Sequence, residues 1–131
     1  MSSLFSIDTE KSLARIREDL PRACANHKFG VLHVHDLQQK LREKGLEFER
    51  GSLVFDVCNP QQAKKVLDLH MDVSAALPCR IAAFELAEGG KTRLATLRPT
   101  ELIGLFGALE LKDAAAEVER TMIAIMEEAA R

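Results

Sequence analysis

At 131 residues the chain is long enough for one domain with a real core and too short for two ordinary ones, so residues 1–131 are expected to fold as a single domain. Hydrophobic residues make up 47% and charged residues 29%, with a formal net charge of −2; this balance excludes compositional disorder and a polybasic nucleic-acid binder. Six Phe with no Trp or Tyr make a poor base-stacking platform, so no nucleic-acid partner is expected.

Residues 1–7 lack a basic segment followed by a long apolar run, and no stretch approaches membrane-spanning length. No membrane partner is expected, and the cytoplasm is the default location. From Thr9 to Asn26 the apolar residues Leu13, Ile16, Leu20 and Ala23 or Cys24 recur at helical spacing. Pro21 lies inside that stripe and lacks a backbone donor, which predicts a kink or a split, with Asp19 available to cap a second segment. Phe29 to Val34 is a compact apolar, β-branched run and reads as a strand. Asp36 and Gln39 have capping-box spacing, opening a short helix with Leu37 and Leu41 that Gly45 stops.

His33 and His35 alternate along the strand and so share one of its faces. Two imidazoles fall short of the three or four ligands of a zinc site, and no HxxxH, CxxC or carboxylate cluster accompanies them, so no metal site is assigned. His27 and His70 fall near segment ends and read as solvated.

Leu53, Phe55 and Val57 alternate with Val54, Asp56 and Cys58, the period of a strand with two unlike faces. Asn59 then has the side-chain oxygen wanted at a helix N-cap, Pro60 suits the first helical position, and Gln62 completes a capping-box pattern. The helix that follows presents Ala63, Val66 and Leu67. Arg80 to Leu86 and Thr92 to Leu97 read as two antiparallel strands joined through the glycine turn Glu88-Gly89-Gly90-Lys91. A short helix is expected from Pro99 through Phe106. From Lys112 onward, Ala115, Val118, Met122, Ile125 and Ala129 form a helical stripe that should bury Val118, Met122 and Ile125. Ile123 and Met126 widen it, for core packing or for contact with a second subunit.

Three widely spaced cysteines do not make a secreted disulfide framework, and reduced thiols are expected. Cys58 precedes the helix cap, near the positive end of the helix dipole, and Arg80 adjoins Cys79; both features favour a thiolate. The plainer alternative is that both cysteines are small apolar residues filling strand ends. No glycine-rich phosphate loop, GxSxG elbow or HExxH occurs, and acidic residues such as Glu117 and Glu119 sit beside Arg120 as solvated charge. No catalytic residue is assigned.

Phe29-Gly30-Val31-Leu32, Leu41 to Gly45, Val57-Cys58-Asn59-Pro60 with Ala63, Leu77-Pro78-Cys79-Arg80 and Arg98-Pro99 together resemble domain-of-unknown-function family 302, from about residue 10 to nearly the C-terminus. The resemblance implies an α+β domain whose mainly antiparallel sheet carries helices on one face, similar to the TATA-binding-protein fold and often associated as dimers. It implies no established activity. Cys58 and Cys79 stand at the two clearest motif positions, which favours a shared site; Cys24 matches none and reads as packing.

Two functional readings follow. One is a binding or redox module in which Cys58, Asn59, Cys79 and Arg80 hold a small ligand: a sulfur species, a soft metal ion or a small anion. The other is a structural module that acts as a homodimer through its free sheet face and C-terminal helix, with both thiols as packing residues.

Overall fold

The computed structural model describes residues 2–87 and 90–131. Strand β1 (Leu4–Thr9) leads into helix α1 (Leu13–Asn26), then β2 (Gly30–Asp36), α2 (Leu37–Glu43), β3 (Ser52–Cys58) and α3 (Pro60–Leu69). Strands β4 (Cys79–Glu85) and β5 (Thr92–Leu97) follow, then α4 (Pro99–Gly104) and the long α5 (Lys112–Ala130), with 3-10 turns at Met71–Ala76 and Leu109–Leu111. The five strands form one sheet in the order β1-β5-β4-β3-β2, and every neighbouring pair is antiparallel. The α+β class expected from the sequence is the one observed.

Strand alternation sends Leu53, Phe55 and Val57, with Ile81, Ala83 and Leu94, to one face of the sheet. There they meet Ile16 and Leu20 of α1 and Met122, Ile125 and Met126 of α5 in one buried core. Each large apolar side chain fully buried in this way contributes about 1.5–3 kcal/mol. Val54, Arg80, Ala82 and Phe84 alternate with them and take the opposite face. A smaller apolar cluster of Val66, Val73, Leu111 and Ala114, with Leu77 and Phe106 against it, ties α3 to α5.

Local expectations met different fates. The β1 strand was not expected; its short alternation places Phe5 and Ile7 on the core while Ile7 pairs with Leu94. Helix α1 runs unbroken through Pro21. Burial of Ile16 and Leu20 before the proline and Ala23 and Cys24 after it holds both halves to the same core. Asp19 caps nothing; it accepts from Lys11 Nζ at 2.8 Å and Arg15 Nε at 3.0 Å, with Arg22 Nη1 at 3.4 Å. The caps at Asp36 and Asn59 form as expected, and Gly45 ends its helix with φ +81°.

Met126 corrects the idea of an outward-facing edge on α5, because it is fully buried within this chain's own core. Met122 and Ile125 are fully buried too, whereas Val118 is half-buried beside a cavity. In the expected glycine turn, Glu88 and Gly89 lie outside the described residues; beside it the Leu86 N–H donates to the Lys91 carbonyl at 3.0 Å. Among the described residues no helix is long and apolar enough to cross a membrane.

Candidate functional site

Strand β3 ends at Cys58, and the chain turns there into α3. Asn59 is extended (φ −103°, ψ 110°), and its side-chain oxygen accepts from the Gln62 N–H at 3.1 Å. Pro60 then takes the first helical position of α3. Cys79 opens β4 after a cis Leu77–Pro78 bond, and its α-carbon lies opposite Val57 in the β3–β4 ladder.

The space between these strand ends and α3 is a cavity of about 330 Å³. Cys58 and Cys79 both line it, with Val57 from the sheet, Ala63 and Val66 from α3, and Val118 from α5. Asn59, Gln62 and Ser74 are the polar residues of an otherwise apolar wall, and no charged residue lines it among the described residues. The Gln62 side-chain oxygen is buried without a hydrogen-bond partner among those residues.

That environment reverses the expectation of thiolates. Burial pushes the Cys79 thiol up to about 11, and the neighbouring Cys58 adds to the rise. Burial raises Cys58 as well. Loss of water around the charged form thus favours the protonated thiol at both positions.

Arg80 is also elsewhere. One residue beyond Cys79, it projects to the opposite face of β4, where its Nε donates to Asp56 Oδ1 at 3.2 Å. Its guanidinium pairs with Asp56 there, and Arg80 lines with Cys79, Pro78 and Leu97 a separate cavity of about 200 Å³. The structure thus brings Cys58, Asn59 and Cys79 to one cavity and leaves Arg80 outside it. Cys24 is fully buried in the core, pushed up to about 11 by burial, and does not line the cavity.

A second polar cluster crosses the opposite face of the sheet. A register shift between Val31 and His33 inserts Leu32 into β2, so that His33 lies opposite Asp56. The His33 and His35 rings meet edge to face with centroids 4.4 Å apart, and His35 Nε2 is 2.7 Å from Asp56 Oδ2. Among the described residues no group of three or more His, Cys, Asp or Glu is placed to hold a metal ion.

Sequence reasoning missed Gln62, Val118 and Leu32 as cavity residues. Gln62 carried a signal only as a capping partner, Val118 only as part of a helical stripe, and Leu32 was swept into a strand whose bulge was not legible.

The family model for the domain of unknown function DUF302 matches residues 5–129, from β1 to the last turn of α5. The chain belongs to DUF302. It is similar over 100% of both chains, at 30% identity and a TM-score of 0.93, to the crystal structure of an uncharacterized conserved DUF302 protein from Bacillus stearothermophilus. No curated protein matches the chain. DUF302 membership accounts for the fold, and the chemistry of the DUF302 cavity has to be argued from its own walls.

Proposed function

We propose that this chain is a one-domain binding module that takes a small, uncharged and mainly apolar ligand into the cavity between α3 and the ends of β3 and β4. The observation that carries the reading is the cavity itself: about 330 Å³, within the ~300–1,000 Å³ common for ligand sites and apolar with a few polar groups, as such sites are. Cys58 and Cys79 contact the ligand as soft, protonated wall groups, and Asn59 holds the turn that shapes the opening. Gln62 offers a buried acceptor to a ligand that brings a hydrogen-bond donor. An uncharged sulfur compound belongs to this class. A small anion does not, since no cation lines the cavity among the described residues and Arg80 is engaged by Asp56. Free cysteines suit a reducing compartment, in keeping with a cytoplasmic protein.

The test uses N-phenyl-1-naphthylamine, an uncharged apolar fluorophore. Saturable, stoichiometric fluorescence enhancement with the wild-type chain is expected, weakened tenfold or more in Ala63→Phe, which fills the cavity. Absence of saturable binding, or binding unchanged in a folded Ala63→Phe protein, would overturn the reading.

A homodimer is the second proposal, and apolar surface opposite the helical face favours it. Leu4 and Leu97 are cross-strand partners exposed at 45% and 53%, on the sheet face that also carries half-buried Val54, Ala82 and Phe84 and the Arg80–Asp56 and Arg93–Asp8 pairs. Two large apolar side chains exposed side by side favour an interface there.

A further inference from the structure

We propose that Cys58 and Cys79 form a reversible intrachain disulfide in the wall of the cavity. This goes beyond the ligand reading and does not depend on it. Val57 and Cys79 are α-carbon partners across the β3–β4 ladder, so Cys58 stands one residue along from the position opposite Cys79. With strands about 4.8 Å apart and a rise of about 3.4 Å per residue, the two α-carbons are roughly 6 Å apart, inside the roughly 4.4–6.8 Å that a disulfide spans.

Neighbouring strand positions ordinarily direct their side chains to opposite faces, which forbids such a diagonal bridge. Cys58 is the last residue of β3, still paired with Gly30, and Asn59 directly after it turns the chain into α3, so the bridge closes at the strand's end, where the chain leaves the ladder. Both cysteines line the same cavity, and the effect of the Cys58 thiol on Cys79 reflects their proximity. Cys24 contributes nothing to this site, since it lies on the buried face of α1, sealed in the core.

A small-molecule disulfide balances the chemistry. Cys58 loses its proton, and its sulfur attacks one sulfur of the oxidant, breaking the oxidant's S–S bond and releasing one small thiol. The Cys79 sulfur, also deprotonated, then displaces the second small thiol from Cys58 and forms the Cys58–Cys79 bond. The two protons leave on the two small thiols; the protein pair is oxidised and the oxidant reduced. Burial raises both protein thiols, so the exchange speeds up with rising pH as the thiolate fraction grows.

The experiment treats the ligand-free full chain with oxidised glutathione, alkylates remaining thiols after denaturation and maps the products by mass spectrometry. The expected product lacks two hydrogens, links the peptides carrying Cys58 and Cys79, and leaves Cys24 alkylated. Cys24→Ser should bridge as the wild type does, and Cys79→Ser should stop at a glutathione adduct on Cys58. A wild-type protein that accumulates the Cys58 adduct with Cys79 still free, bridges through Cys24, or leaves Cys58 unmodified overturns the proposal. No cavity ligand is present, so each of these outcomes is separate from success or failure of fluorophore binding.

Discussion

His35 on β2 and Asp56 on β3 meet with Nε2 and Oδ2 2.7 Å apart, and Arg80 on β4 reaches the other oxygen of the same carboxylate at 3.2 Å. One buried carboxylate thereby ties three adjacent strands together on the face away from α1 and α5. Burial pushes the Asp56 carboxyl up, but the hydrogen bond and charge of His35, and then those of Arg80, outweigh it and hold the carboxyl below its ordinary value. A carboxyl depressed in the folded state contributes stability that is full above its unfolded pKa of about 3.9 and is lost as pH falls through that value toward the folded one. The melting temperature is expected to drop as pH falls from about 5 to about 3. In Asp56→Asn that dependence should be shallower, though not absent, because Asp19 and Glu119 are depressed as well. At neutral pH the same variant should lose about 1–3 kcal/mol by urea denaturation, the cost of breaking a buried hydrogen-bonded network.

Asn59 caps α3 through the Gln62 N–H. Asn59→Ala is expected to cost about 1 kcal/mol in chemical denaturation, while Asn59→Asp or Asn59→Ser should retain most of that stability. A larger loss of fluorophore binding than of stability in Asn59→Ala would show that the turn shapes the cavity as well as stabilising the helix.

The thiols should react slowly for free cysteines at neutral pH. With iodoacetamide on the native protein, alkylation is expected to be slower than for an unstructured cysteine peptide at pH 7 and to keep accelerating as pH rises beyond the ordinary thiol range, because burial raises both thiols. Cys58 should react before Cys79, whose thiol is pushed up to about 11, and Cys24 should stay silent until the protein unfolds. Fast alkylation of Cys58 at pH 7 would reinstate the thiolate reading.

The proposed dimer is tested at Leu97. Light scattering at tens of micromolar, an ordinary range for specific association, should report a dimer for the wild type and a monomer for Leu97→Glu. This position is more than half exposed and lies outside the core cluster, so the variant should keep its melting temperature to within a few degrees. A wild-type monomer at that concentration would reject the dimer.

Local chemistry made much of this protein legible from its residues alone. Asn59, Pro60 and Gln62 announce the start of α3 because a helix terminus has unsatisfied donors that only certain side chains meet. Leu53, Phe55 and Val57 announce β3 by their period, and the stripe from Ala115 to Ala129 announces α5. That Cys58 and Cys79 would come near one another was also legible, since one closes a strand and the other opens the next. The environment those thiols enter was not. A thiol beside a helix N-terminus and an arginine looks activated along the chain, but its charge state depends on what surrounds it in space. Residues far apart in sequence, from Leu32 to Val118, enclose the cavity and remove water, while strand alternation carries Arg80 to the other face to meet Asp56. The continuity of α1 through Pro21 was likewise decided by the core on both sides of the proline. Sequence determined the elements and their ends through short-range hydrogen bonding and periodicity; tertiary structure alone decided burial, and burial decides which groups carry charge.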